Sequence, residues 1–407
     1  MARCMSCCDA DGEAGGGMTR RHLGDTPFAV YVHWPFCLSK CPYCDFNSRA
    51  TESIDQAAWR AALLAALDAR AEDMAGRSVA TVFFGGGTPS LMEPATMVAL
   101  LERIDRRWGM ASDAEVTLEA NPGTADIQRF ADFRAAGVNR LSIGIQALND
   151  PDLAALGRRH DTAQALTALD LGRRLFPRLS FDLIYARPGQ TAESWAEELS
   201  RAVTLAADHL SLYQLTVEEG TPLHGAVSRG RVALPDEDEA AEMFERTQVI
   251  CEAAGLPAYE VSNHAQPGRQ CQHNLLCWRG GDYLGLGPGA HGRRTDRSGT
   301  VWAERQASSP DRWLEALKNG GNGEEKPVSL TTGQRCEELV MMGLRLDEGL
   351  SNDRFCRLTG QNIMDIIDRS ALAALSDGGF LRWDGKDLRT TDRGRLVLNA
   401  VLGRLLA

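Results

Sequence analysis

The chain has no run of about eighteen consecutive apolar residues, the length that spans a bilayer. Its N-terminus also lacks an apolar core behind its charges, so neither an integral membrane protein nor a secretory leader is expected, and the cytoplasm is the expected location. Basic charge is not in excess either. Forty-four Lys and Arg (44) stand against 55 Asp and Glu, a net charge of -11, which leaves no basic footprint for nucleic acid. In a reducing compartment the 11 cysteines read as thiols and ligands rather than disulfides. With 407 residues the chain has room for two or three domains, or for one large barrel with an appendage.

What is present is a cysteine triplet. Cys37, Cys41 and Cys44 lie in YVHWPFCLSKCPYC, which begins at Tyr31. A CxxxCxxC spacing can hold three irons of a [4Fe-4S] cube and leave the fourth without a protein ligand, open to chelation by S-adenosylmethionine (SAM). Structural zinc would call for a matched second ligand pair, and none lies nearby. Three closely spaced cysteines also do not pair off as a disulfide. Cys4, Cys7 and Cys8 fall in residues 1–26, a small, polar, glycine-rich stretch expected to be disordered, with either Met1 or Met18 as the start.

Short β-type runs at residues 28–33, 81–84, 115–119, 140–145, 180–185, 209–215 and 258–262 alternate with amphipathic helical stretches. One such stretch covers 54–74, with Trp59, Leu63, Leu64 and Leu67 at helical spacing; another covers 192–206. The alternation predicts an α/β fold of parallel strands covered by helices, and six or seven repeats favour a full or partial (β/α) barrel over 27–265. A connecting segment, 266–325, follows. Helical patterns at 331–344, 351–358 and 363–377, then a hairpin at Asp384-Gly385, predict a small C-terminal helical, winged-helix-like domain over 326–407. That architecture often binds DNA, but this segment shows no basic recognition face.

Polar or glycine residues close nearly every predicted strand: Cys37, Gly85-Gly86-Gly87-Thr88, Glu119, Gln146 and Asp182. Barrel strands present their C-terminal ends to one mouth, so these residues should converge on a single site. The glycine run lets backbone approach a ligand closely. It is no phosphate loop, because the Walker Lys and hydroxyl pair is absent and no GxGxxG opens a helix there.

In order along the chain stand FFGGGTPSL from Phe83, LEANPG from Leu118, GVNRLSIGIQ from Gly137, LGRRH from Leu156, FDLIYARPGQT from Phe181, HLSLYQLTVEEGT from His209 and CQHNLLCW from Cys271. With the cysteine motif they resemble radical SAM proteins of the oxygen-independent coproporphyrinogen III oxidase type, over roughly residues 28–300. The resemblance implies a radical SAM barrel with the cluster on Cys37, Cys41 and Cys44. It further implies that Tyr31 and Tyr43 line the SAM site, that Gly86, Gly87 and Thr88 face the methionine moiety, and that Glu119, Gln146, Arg158 and Asp182 make the remaining polar contacts. Carboxylates and amides suit ribose hydroxyls and an ammonium; an arginine suits a carboxylate. Electron transfer into the sulfonium would then release methionine and a 5'-deoxyadenosyl radical.

Two branches of that family are in play. The oxidases carry a further cysteine just after the third (CxC) and a longer N-terminal segment. Here Asp45 and Phe46 follow Cys44, the pattern of the heme-chaperone branch, which implies heme as ligand and a heme-accepting respiratory protein as partner. The alternative is the oxidase itself, a SAM-dependent decarboxylation of propionates in porphyrin biosynthesis. His273-Asn274-Leu275-Leu276-Cys277-Trp278 matches an HNxxYW motif of heme handling, with Cys277 in place of tyrosine. It implies His273 as a heme ligand, with a histidine bonded within the fold as the other reading. Ala186-Arg187-Pro188 stands where the family usually reads GLP, an expected difference in loop shape.

Overall fold

The computed structural model describes residues 26–406. The stretch 1–26 expected to be disordered, with Cys4, Cys7 and Cys8, lies outside the described residues except at Thr26. Six strands run β1 (Phe28–Trp34), β2 (Val79–Gly86), β3 (Met110–Ala120), β4 (Arg140–Gln146), β5 (Arg178–Tyr185) and β6 (His209–Gln214). Each pairs in parallel with the next. β1 is buried along nearly its whole length, as befits a parallel strand covered on both faces.

The helices between strands form the outer layer. In the first, Gln56–Ala69, Asp55 caps the N-terminus by accepting from the Ala58 N–H, and Trp59, Leu63 and Leu67 face the sheet. Trp59 then stacks on Trp313 with centroids 5.6 Å apart, tying this helix to Pro310–Lys318 from much later in the chain.

The sheet has eleven strands and open ends, so the barrel is partial. Beyond β6 comes β7 (Asn263–Ala265), antiparallel to it. On the far side of β1 lies β8 (Tyr283–Leu286), parallel to β1, followed by the antiparallel β9 (His291–Thr295), β10 (Val301–Arg305) and β11 (Val328–Ser329). The seventh parallel strand is therefore β8 and not the run at 258–262. That run bends back on itself: the Tyr259 N–H donates to Asn263 O, and Ala258 and His264 form an isolated antiparallel bridge. The segment 266–325 likewise does more than connect, since its strands extend the main sheet.

The C-terminal part has its own core, in which Leu339, Val340, Phe355, Leu388 and Val401 pack between helices and a three-stranded sheet. Among the described residues no helix is long and apolar enough to cross a membrane.

Among the described residues two non-glycines adopt positive φ, Gln146 at 76° and Ala186 at 56°. Ala186 begins the sharp turn after β5 and pays the steric cost of a left-handed Cβ. The next residue holds that turn shut. The buried Arg187 guanidinium donates to Ile184 O at 2.7 Å, to Asp152 at 2.7 Å and to Glu198 at 2.5 Å. Ala186→Gly is expected to raise stability by about 1 kcal/mol, read as a higher thermal midpoint; a lower midpoint would show that the turn is not strained.

Candidate functional site

A cavity of about 740 Å³ opens at the C-terminal ends of β1 to β6. Its walls come from as far apart as Cys37 and Ser262, so the open sheet curls enough to bring the strand ends onto one mouth.

The cysteine loop is shaped by the protein itself. Phe36–Cys37 pairs with Arg49–Ala50, and the Thr51 N–H donates to Cys37 O at 2.9 Å, closing the loop at its base. Within it the Cys44 N–H donates to Cys41 O, and Lys40 Nζ donates to Phe46 O and Ser48 O. All three thiols line the cavity. Burial pushes the Cys44 thiol up, and the neighbouring Cys37 and Cys41 push it further. A bound cation reverses that preference, since ligation takes thiolate. Among the described residues no three His, Cys, Asp or Glu side chains converge closely enough to hold one metal ion. The three thiols face one cavity, and thiolates are the ligands that a [4Fe-4S] cube would take there.

Beside the triplet, β2 ends in glycines for a steric reason. Gly86 has φ 111°, and a Cβ there would sit 2.7 Å from the His33 ring. At Gly87 a Cβ would sit 2.7 Å from Phe36 O and 3.0 Å from Cys37 Sγ. Bare backbone therefore runs directly along the sulfur of the first cysteine. The Gly87 and Thr88 N–H groups donate to Trp34 O and Phe36 O, fixing that approach, and Asn121 Nδ2 donates to Thr88 Oγ1 at 3.1 Å.

Glu119, at the end of β3, and Asp182, in β5, face the same space. Burial pushes Glu119 up to about 8, aided by Asp182, although Glu119 accepts from the Gly86 N–H at 3.2 Å. Burial also lifts Asp182 to about 6, against the hydroxyls of Ser211 and Ser142 and the charge of Arg140. The pair is a poor place for two negative charges and a good one for a cation or hydroxyl donors. Gln146 adds an acceptor: its side chain lines the cavity and its Oε1 is buried with no hydrogen-bond partner in the protein. Arg158 completes the wall. Its Nη2 donates to Asn121 Oδ1 at 2.5 Å and Gly144 O at 2.7 Å, and its Nη1 reaches Cys41 Sγ at 3.6 Å. Tyr43 lies against both Arg158 and Cys41.

Glutamate 119 carries a pH prediction. A folded carboxyl raised to about 8 keeps its proton where the unfolded one has lost it, so its share of stability drops as pH climbs from about 5 to about 8. Glu119→Gln should flatten that slope and stabilise the ligand-free protein at the alkaline end by on the order of 2 kcal/mol. Thermal melts across pH check both; an unchanged slope would mean that Glu119 is ionised in the empty cavity.

Two predicted site residues do not line the cavity. Tyr31 lies one layer below its floor, because residues alternate along β1 and Tyr31 pairs in register with Phe83 while His33 pairs with Gly85. Its hydroxyl donates to His33 Nδ1 at 3.1 Å, and its ring leans on Phe83 and His273. His273 is buried in the same layer, with Nδ1 2.9 Å from Thr81 Oγ1 and its ring 5.0 Å from Phe83. Burial, aided by Arg140, lowers it to about 3, so it is a neutral imidazole bonded within the fold. Its neighbours differ. Asn274, Cys277 and Trp278 line a second cavity of about 450 Å³, which shares Tyr213 and Ser262 with the first.

Sequence reasoning passed over Asn121 and Tyr213. Asn121 stands two residues after Glu119, the spacing that returns a strand side chain to the same face, and Tyr213 closes β6 as Glu119 closes β3; both signals were available.

Fold and cavity together define a radical SAM class of protein. Residues 31–202 match the model of the radical SAM superfamily, and residues 330–397 match that of the HemN C-terminal domain. The chain is 38% identical over 383 residues to the heme chaperone HemW of Escherichia coli, covering 94% of this chain and 98% of that one. It is 40% identical over 398 residues to the mitochondrial radical S-adenosyl methionine domain-containing protein 1 of Bos taurus, covering 96% and 90%. The solved coproporphyrinogen III oxidase HemN of Escherichia coli superposes with a TM-score of 0.79 at 24% identity, covering 96% of this chain and 92% of that one, which is a likeness of fold. The chain belongs to the radical SAM superfamily and, within it, to the HemW family.

Proposed function

We propose that this protein is a cytoplasmic heme chaperone that carries a [4Fe-4S] cluster on Cys37, Cys41 and Cys44, binds SAM beside it, and takes up heme for delivery to a respiratory acceptor. The observation that carries the reading is the convergence of the three thiols, the glycine cradle, Glu119, Gln146, Arg158 and Asp182 on one cavity. Superfamily membership implies the cluster and SAM, and relatives named heme chaperone HemW at 35% to 38% identity support the heme part.

When bound, the cluster supplies an electron for reductive cleavage of a sulfonium C–S bond. The chain's own residues bind and orient. Gly86 and Gly87 let the amino-acid moiety of SAM lie along the backbone, and Thr88 closes that side. Arg158 has N–H donors beyond those it spends on Asn121, Gly144 and Cys41, and these suit a carboxylate. Glu119 and Asp182 exchange hydrogen bonds with ribose hydroxyls or accept from an ammonium, and Gln146 Oε1 receives a further donor. Tyr43 walls the site from water at the cysteine loop.

Heme would sit at the second cavity, against Trp278, where Arg345 already stacks 4.7 Å from the ring centroid. His273 does not line this cavity and its Nδ1 is engaged by Thr81, so heme there would rest on the cavity's own lining rather than on that imidazole. Burial pushes the Cys277 thiol up to about 12, which makes it a protonated neighbour in the ligand-free protein.

The likeness in fold to coproporphyrinogen III oxidase favours a second reading, decarboxylation of propionates. Against it, Asp45 and Phe46 follow Cys44 with no further cysteine. One anaerobic experiment separates the two: reconstitute the cluster, titrate heme by absorbance, and assay coproporphyrinogen consumption with SAM. Stable heme binding without vinyl formation is expected; substrate-dependent vinyl formation would overturn the chaperone reading.

A further inference from the structure

A guanidinium aimed at a cluster ligand does more than hold substrate. Arg158 leaves the turn after Leu156 and reaches across the cavity, where two acceptors on the frame of the barrel, Asn121 Oδ1 and Gly144 O, fix its Nη2 at 2.5 and 2.7 Å. That double anchor points Nη1 at Cys41 Sγ, 3.6 Å away, within hydrogen-bond reach for a sulfur acceptor. Tyr43 hydrogen-bonds to both members of the pair. The other cations at the cysteine loop are differently disposed, since the exposed Lys40 spends its donors on Phe46 O and Ser48 O and Arg159 donates to Leu38 O.

We infer that Arg158 sets the reduction potential of the cluster, through a charged hydrogen bond to the Cys41 sulfur. The inference rests on the reading that the triplet holds a cube. Reduction adds one negative charge to the cluster, and hydrogen bonds to its sulfurs and nearby charge are the protein's means of favouring that state. Arginine is suited to the task because it stays protonated at any working pH, and a planar fork held at two points cannot swing away from the sulfur. The contact is part-buried, so water screens it less than it would at the surface. The same fork would touch SAM's carboxylate on one side and a ligand thiolate on the other, so the residue that receives the cofactor also adjusts the donor of its electron.

The test measures the cluster alone, with SAM left out so that lost cofactor binding cannot mimic the effect. The full chain and its Arg158→Gln, Arg158→Lys and Asn121→Ala variants are reconstituted anaerobically, iron and sulfide are counted, and the midpoint is read from a redox titration followed by electron paramagnetic resonance. Arg158→Gln is expected to lower the reduction equilibrium at least tenfold, about 59 mV for one electron, with Arg158→Lys in between. A midpoint equal to that of the unaltered chain, in a variant that carries full iron, overturns the inference. Should Arg158→Gln fail to load, Arg158→Lys and Asn121→Ala decide: the first keeps the charge without the fork and the second removes one of the fork's two anchors, and a midpoint unmoved in both also overturns it. A merely structural arginine would cost iron content and leave the midpoint where it was. An unaltered chain that takes up no cube overturns the functional reading, and the inference with it, by a different readout.

Discussion

Cys41→Ala is expected to yield a folded protein that holds no stable cube after reconstitution. In the proposed function three thiols are the protein's whole share of the ligation, the fourth iron being left for SAM, and two would not retain the cluster against solvent. The fold should survive the change. Cys41 is only half-buried, it lies in a loop whose base is closed by the Phe36–Cys37 and Arg49–Ala50 pairing, and it contributes nothing to the main core. Iron and sulfide content should therefore collapse while the far-ultraviolet circular dichroism and the thermal midpoint stay close to those of the unaltered chain. Full iron in this variant would refute the assignment of the triplet, and a lost fold would show that the thiol is structural.

Gly87→Ala should do comparable damage by another route. The added methyl would meet Phe36 O at 2.7 Å and Cys37 Sγ at 3.0 Å, and the closer of these is backbone, which cannot rotate aside. Relief requires the short Phe36–Cys37 strand to move away from β2, at a cost of about 1–3 kcal/mol, and that movement carries the first thiol out of place. A lower thermal midpoint together with loss of both iron and SAM binding is the expected result. Gly333→Ala, where nothing lies within 4 Å, serves as the control and should change neither. Normal iron content in Gly87→Ala would mean that the cradle has slack the structure does not display.

The site was readable in the sequence to the extent that its residues close strands. Glu119, Gln146 and the glycine run each end an apolar run, and a barrel turns that shared position into shared space. Tyr31 entered through the resemblance and not through that logic, since it belongs to the interior of β1, and its register with Phe83 sets it apart from the strand-end residues that line the cavity. His273 carries no pattern that tells a heme ligand from a packed imidazole, and its burial against Thr81 and Phe83 depends on chain far from it. The seventh parallel strand was hidden for a related reason. β8 is four residues long with a glycine inside it, weaker by pattern than the run at 258–262, and what makes it a strand is β1, a partner from the far end of the chain.

That pairing has a consequence for the order of synthesis. β1 is among the first elements to leave the ribosome and β8 among the last of the sheet, and the cysteine loop also waits, because Asn47 donates to Pro288 O and Ser308 O across separations of 241 and 261 residues. Until those residues emerge, the edge of β1 stands bare and the loop lacks its outer brace. A nascent chain stalled before residue 283 should thus be sticky and poorly able to retain iron, and cluster insertion becomes an event of the finished polypeptide, however early its three cysteines are made.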